Sequence, residues 1–315
     1  MKPTLAQAAV ATLHPANPHQ RYDFAALCQS LPALSAFLLT TPAGETSINF
    51  ADPKAVKALN QALLVYFYQL NHWDLPEGYL CPAVPGRLDY LLHLQDLLQQ
   101  SHQGKLPKRR HLTVLDIGCG ANLIYPLLAV RALGWRAIAS DIDSQALAHA
   151  RQLIAQHQLQ QQIELRAQPD SQAIFDGLLK PGDYIDVTLC NPPFHSSAAE
   201  AASGSARKRQ NLGLASDAAA LNFAGQSHEL WCPGGEAEFI RRMIRQSQSI
   251  GHQVYWFSCL VAKKQHLPAL QQQLREVGVT ESRVVEMAQG NKQSRFICWS
   301  FLTPAQQQLW RQHRW

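Results

Sequence analysis

Apolar residues recur along this chain with two different periods. Between Asp52 and Leu70 they fall at Val56, Leu59, Leu63, Leu64 and Phe67, the spacing of a helix with one buried side. Pro76 and Gly78 interrupt that pattern. A second helix is expected from about Arg87 to Gln100, with Leu88, Leu91, Leu92 and Leu98 as its apolar face. Gly104 to Arg110 reads as a basic linker. From His111 the pattern changes. LTVLDIG is a buried strand, and Leu123 to Leu133 is a helix closed by Gly134. RAIASDID is a second strand, and Ser144 or Asp143 caps the helix that runs to about His157. IELRAQ is a third strand, a short helix is expected before Gly177, and YIDVTLCNPPF is a fourth strand. Glu236 to Ile250 is a helix, HQVYWFSCL a strand and Leu267 to Val277 a helix; two late strands cover about 280–288 and 296–302. Strands that alternate with helices in this way predict an α/β domain with a largely parallel sheet covered on both faces.

This rhythm divides the chain into a mainly helical N-terminal extension, residues 1–104, and an α/β domain, residues 105–315. Residues 195–235, rich in Ala, Gly, Ser and basic side chains, look like a long functional insertion on the substrate side. Composition narrows the class. With 46% hydrophobic and 16% charged residues, the 315-residue chain can build a sizeable core. Its longest apolar runs, such as Val254 to Val261, are far shorter than the roughly 20 residues that span a bilayer. The apolar stretch after Lys2 makes a weak imitation of a signal peptide, without a good cleavage pattern. The seven cysteines are scattered, none within metal-ligand spacing of another, as expected of free thiols in the cytoplasm; no metal is expected. A net charge of +5 permits a polyanionic partner without requiring one. No coiled-coil or self-pairing segment appears, so a monomer is expected.

The chemistry concentrates at strand ends. VLDIG runs into Gly118-Cys119-Gly120 and then a helix, and ligands bind such sheets outside the carboxyl ends of the strands. Glycines there let backbone approach a ligand closely. The third glycine of a dinucleotide fingerprint is missing, but Asp141 stands about twenty residues on, where a carboxylate can accept ribose hydroxyls. Nicotinamide and S-adenosylmethionine sites share these features. The deciding motif is Asn191-Pro192-Pro193-Phe194 at the end of the fourth strand. The lone pair of an adenine N6 amine is delocalised into the ring. The Asn191 side-chain oxygen and the Pro192 carbonyl can each accept one N6–H, favouring a pyramidal nitrogen whose lone pair meets a sulfonium methyl. The prolines stiffen the turn, and Phe194 can stack on the base. The motif by itself does not separate adenine in RNA from adenine in DNA or from a protein glutamine amide.

Longer segments carry a more specific likeness. LHPANPHQRYDFAAL, GYLCPAVPGRLDYL, VLDIGCGANLIYPLL, LCNPPFHSSAAEAASGSARKRQNLG, LNFAGQSHELWCPGGEAEFI and MAQGNKQSRFICWSF span nearly the whole chain. In them the sequence resembles the RlmF family, the 23S rRNA (adenine-1618-N6)-methyltransferases. The resemblance implies a Rossmann-like class I methyltransferase fold with a mostly parallel seven-stranded sheet and an RNA-facing N-terminal extension. It implies S-adenosylmethionine as methyl donor. Gly118, Gly120 and Asn122 then line the methionine part of the cofactor, with Asp116 and Asn191 also counted at it. Asp141 is the ribose acid, Arg87 holds the cofactor carboxylate, and Gln168 approaches the cofactor adenine. Asn191, Pro192, Pro193 and Phe194 are the amine-positioning set. Contacts to 23S ribosomal RNA, or to a large-subunit assembly intermediate, are expected from His19 and Arg21, from Arg207, Lys208 and Arg209, and from Lys292 and Arg295, with a further basic cluster at Lys105, Lys108, Arg109 and Arg110. Trp231 and Phe223 are candidates for the walls of the base pocket, with core packing as the equal alternative. Two other functions compete: a protein glutamine methyltransferase with the same N-P-P chemistry, and a non-catalytic RNA-binding assembly factor.

Overall fold

A computed structural model of the chain describes residues 12–108, 111–197, 199–200, 227–289 and 292–315. The strand β3 (Thr113–Ile117) is the middle of the site, and its sequence explains its place: four of its five residues are buried, as both faces are covered. β4 (Arg136–Asp141), β5 (Ile163–Ala167), β6 (Ile185–Cys190) and β7 (Val254–Leu260) lie parallel with it in the order β5-β4-β3-β6-β7. The sheet ends in an antiparallel hairpin, β8 (Glu281–Gln289) and β9 (Lys292–Ser300), with β9 inserted between β7 and β8. A separate hairpin, β1 (Leu38–Thr40) with β2 (Thr46–Ile48), belongs to the N-terminal extension. The seven-stranded, mostly parallel sheet is the one expected. The order reverses between β4 and β6 on either side of β3, which opens a crevice at the carboxyl ends of these strands.

Helices cover both faces. α1 (Phe24–Ser30), α2 (Pro53–Tyr68) and α3 (Val84–Ser101) form the extension. α4 (Ile124–Leu133), α5 (Ser144–Gln156), α6 (Gly235–Ser247), α7 (Leu267–Glu276) and α8 (Pro304–Arg314) belong to the α/β part. Alternate residues of the strands face two cores. Val114 and Ala139 join one that continues through α4 into α2 and α3, while Leu115 and Ile138 join the other, against α6 and α7. The extension therefore shares its core with the sheet. On the far end of the sheet, buried Asp186 accepts hydrogen bonds from the Thr113 amide (2.7 Å) and from the Trp310 and Trp315 indoles (2.8 and 2.6 Å), which fastens α8 to β3 and β6.

Several boundaries differ from the expectation. α3 starts at Val84, three residues early, because Pro85 suits a first helical turn. Phe67 stays 37% exposed, since α2 buries Leu59, Leu63 and Leu64 together with alanines and turns Phe67 outward. No helix forms before Gly177. The amides of Ile174 and Phe175 are taken by the Gln246 side chain and that of Gln172 by Asp170, so side chains replace the helical ladder. β9 begins at Lys292 rather than near 296, because pairing with β8 extends the strand through polar residues. The inserted segment from 201 to 226 lies outside the described residues.

Candidate active site

The turn after β3 is held open by its glycines. Gly118 (φ +77°) and Gly120 (φ +60°) adopt the left-handed backbone that other residues resist. The amides of Gly118 and Cys119 both donate to the Ser140 carbonyl at 2.9 Å, and the Gly120 amide donates to Asp141 Oδ2 at 2.7 Å. The Asp143 amide donates to Asp141 Oδ1 at 2.9 Å. Asp141 therefore orders two loops. Asn122 accepts from the Ile124 amide at the start of α4 and reaches the extension by donating to the Leu80 carbonyl. The Trp73 indole donates to the Asn122 carbonyl (2.9 Å), a second tie between extension and glycine turn.

One cavity of about 350 Å³ opens at these strand ends, the size range of small-molecule sites. It brings together Arg87, Gly118, Gly120, Asn122, Asp141, Gln168, Asn191 and Pro193. Asp116, Pro192 and Phe194 do not line it; Pro192 is buried and Phe194 half-buried beside it. Gln168 spends its side chain on its own loop, donating to the Asp176 carbonyl (3.0 Å) and accepting from the Asp170 amide (3.3 Å).

Arg87, in the first turns of α3, meets Asn191 at the end of β6. A guanidinium only donates, so the Asn191 amide turns its oxygen to it: Oδ1 accepts from Nη1 at 3.3 Å and Nη2 at 3.2 Å. Nη1 also donates to the Tyr125 hydroxyl at 3.0 Å, and the guanidinium lies 5.4 Å from the centre of the Tyr125 ring. Burial pushes that phenol up to about 12, so it stays neutral.

Arg87 suits the carboxylate of a ligand tail. Among the described residues Arg87 makes no ion pair with a carboxylate, which leaves its charge for an anion. Asp116, just before the turn, is 1% exposed, and among the described residues neither of its carboxylate oxygens has a hydrogen-bond partner. Burial, and then the neighbouring Asp141, push its carboxyl well above the usual carboxylate range against a smaller downward pull from the Arg87 charge. Orphaned buried oxygens of this kind call for a donor from a ligand or water. The residues thus fit a nucleoside linked to an amino-acid tail.

Trp231, a candidate wall from the sequence, lines the cavity, whereas Glu229 and Arg242 line it without a sequence signal. A short parallel bridge pairs His195 with Trp231, through His195 N to Leu230 O and Cys232 N to His195 O, both 3.0 Å. That pairing lays Glu229 and Trp231 across the cavity mouth beside N-P-P-F. Glu229 accepts from the Leu80 amide, and a Cβ at Gly120 would sit 3.2 Å from its Oε1. The Trp231 indole N–H is buried and has no partner among the described residues. Arg242 of α6 closes the far side, donating to Gln172 at 2.6 Å.

The expected RNA contacts fare unevenly. His19 is 3% exposed, with Nε2 bonded to the Tyr68 hydroxyl at 2.7 Å and its ring edge-on to Phe67. Burial pushes it down to about 4, so at neutral pH it carries no charge to offer a phosphate. Arg295 is likewise turned inward: Nε donates to Glu286 at 3.1 Å and Nη1 to the Ala262 carbonyl at 3.3 Å, which clamps the loop after β7. Both side chains turn inward for one cause, an internal partner that the sequence does not reveal. Arg21, Lys105 and Lys108 are exposed, and Lys292 opens β9. Arg109, Arg110, Arg207, Lys208, Arg209 and Phe223 lie outside the described residues.

His14, His93 and Asp96 converge closely enough to suggest metal ligation. The hydrogen bonds argue for a strap instead. His14 Nδ1 accepts from the Ala16 amide (3.1 Å), which places the ring hydrogen on Nε2, aimed at Asp96 Oδ2 at 2.9 Å. With the His14 amide on Asp89 (2.6 Å), the group ties the first described residues to α3.

Comparison with known proteins agrees with this geometry. The model of a family described as RNA methyltransferase matches residues 7–303. The chain is 49% identical over 309 residues to the ribosomal RNA large subunit methyltransferase F of Pseudomonas fluorescens, covering 97% of this chain and 91% of that one. It is 53% identical over 292 residues to the protein of the same name from Salmonella typhimurium, covering 92% and 94%. Among solved structures it is similar to the human METTL16 catalytic domain in complex with a MAT2A 3′UTR hairpin, with TM-score 0.78 and 31% identity over 93% of this chain and 96% of that one. The N-terminal domain of human METTL16 in complex with SAH matches with TM-score 0.73 and 29% identity over 93% and 100%.

Proposed function

The chain belongs to the RNA methyltransferase family, and from that premise we propose that it transfers the methyl group of S-adenosylmethionine to the N6 amine of an adenine in large-subunit ribosomal RNA. Adenine 1618 of the 23S molecule is the position that the resemblance indicates. The observation that carries the reading is one cavity lined by the Gly118–Gly120 turn with Asp141 and by Asn191 and Pro193. Cofactor-binding and amine-positioning groups thereby meet at adjacent strand ends.

When bound, the cofactor supplies an electrophilic sulfonium methyl. Arg87 would hold its carboxylate, the glycine turn would let the backbone approach, and Asp141 would accept ribose hydroxyls, with Asp116 buried just before the turn and outside the cavity lining. Asn191 Oδ1 and the Pro192 carbonyl accept the two N6–H bonds and turn the nitrogen lone pair toward the methyl. Loss of the methyl group would leave S-adenosylhomocysteine, and the methylated cationic amine would give its proton to water. The target adenine must leave its stack to reach this cavity, at a cost of roughly a few kcal/mol that a loop or junction lowers. Arg21, Lys105 and Lys108, together with Arg207, Lys208 and Arg209, supply phosphate contacts.

No described helix is long and apolar enough to cross a membrane, and all seven cysteines are free thiols. We infer a monomer working in the cytoplasm on free RNA or on an assembly intermediate. The test is methyl transfer from labelled S-adenosylmethionine to unmodified large-subunit RNA and to assembly particles, followed by nucleoside digestion. Label in N6-methyladenine supports the proposal. Label only in protein glutamine, or no transfer to either substrate, overturns it.

A further inference from the structure

Arg87 and a target amine need the same atom. The N6 group reaches Asn191 only as a donor, and it requires Oδ1 as acceptor. In this structure that oxygen already accepts from Nη1 and Nη2 of Arg87, one N–H for each of its two lone pairs. Both acceptors that Arg87 now uses, Asn191 and the Tyr125 hydroxyl, are neutral. A guanidinium binds a carboxylate through charge-assisted, often bidentate bonds about twice as strong as those to neutral acceptors. Given both, Arg87 takes the carboxylate. Its face contact with Tyr125 keeps the group in the cavity while its N–H bonds are re-aimed.

We propose that Arg87 is a positioning residue that latches Asn191: it occupies the amide oxygen until a cofactor carboxylate draws it away, which frees that oxygen for the adenine amine. The proposal rests on the methyltransferase reading above and adds a binding order to it. Cofactor first prepares the base site, whereas RNA first meets an asparagine that is already engaged. By linkage, a ligand with the carboxylate tightens RNA binding, and RNA tightens that ligand by the same factor.

The test is the dissociation constant of a large-subunit RNA fragment containing the target, measured by titration with wild-type protein. It is measured alone, with saturating S-adenosylhomocysteine, and with saturating decarboxylated S-adenosylhomocysteine. The latch predicts tightening of at least about fivefold with the first ligand, the lower end of ordinary coupling, and less than about twofold with the second. In Arg87→Met, at saturating S-adenosylhomocysteine, the coupling falls below about twofold. Arg87→Lys keeps the charge but not the planar fork, and regains only part of the coupling. Equal tightening by both ligands, no tightening by either, or wild-type coupling in Arg87→Met would overturn the latch. The comparison of ligands uses unaltered protein, so it stands even where a variant folds poorly. Wild-type protein that binds neither S-adenosylhomocysteine nor RNA would overturn the methyltransferase reading and the latch with it.

Discussion

Replacing His19 with glutamine should change how the protein responds to acid, and the size of the change follows from burial. An unfolded histidine titrates near 6.5; burial pushes His19 down to about 4 in the folded chain. As pH falls below 6.5 the unfolded state takes up a proton at His19 while the folded state does not. Unfolding is thereby favoured, and stability present at neutral pH is lost through the window between 6.5 and 4. At pH 5 the unfolded state has gained the proton almost completely and the folded state hardly at all, a differential of about 2 kcal/mol. His19→Gln keeps a donor and an acceptor for the Tyr68 hydroxyl but cannot titrate. Urea denaturation at pH 7.5 and pH 5 should therefore show the wild type losing about 2 kcal/mol more than the variant. RNA affinity at neutral pH should hardly change. Parallel pH dependence in the two proteins would refute the buried neutral histidine. Weakened RNA binding in the variant would restore His19 to the phosphate contacts.

Gly118→Ala and Gly120→Ala separate strain from crowding. A Cβ at Gly118 meets no atom within 4 Å, so the change should cost about 1–2 kcal/mol of left-handed strain and a few degrees of melting temperature. Gly120→Ala also presses on Glu229 Oε1 (3.2 Å) and Asn122 Nδ2 (3.3 Å) and should melt lower still; equal melting temperatures would contradict this. Asp186→Ala strands the Thr113 amide and two tryptophan indoles, and should cost about 3–5 kcal/mol in urea denaturation. A loss below about 1 kcal/mol would mean that α8 does not depend on that carboxylate.

What the sequence discloses here depends on how local the cause is. β3 and β6 are legible because a strand covered on both faces must be apolar nearly throughout. Gly118, Gly120 and Asn191 are legible because their chemistry lies in the residue type itself. Glu229 and Arg242 reach the cavity only through distant pairings, the His195–Trp231 bridge and the packing of α6 on the loop around Gln172, which leave no periodicity. His19 and Arg295 show the converse. Their residue types suggest surface cations, but Tyr68 lies 49 positions from His19, and the Val261 and Ala262 carbonyls lie 34 and 33 positions from Arg295. The helix expected before Gly177 fails for a similar reason, since its amides find Gln246, more than 70 positions away.

Single-turnover methyl transfer by Asn191→Ala, with S-adenosylmethionine and RNA both saturating, tests the central claim most directly. Saturation removes any effect on binding, so the rate reports the positioning of the amine alone. The account predicts a fall of at least about a hundredfold, comparable to removing one hydrogen-bonding group that acts at the transition state. A variant that transfers methyl groups within about tenfold of the wild-type rate would contradict it, and would place the amine acceptor elsewhere in the cavity.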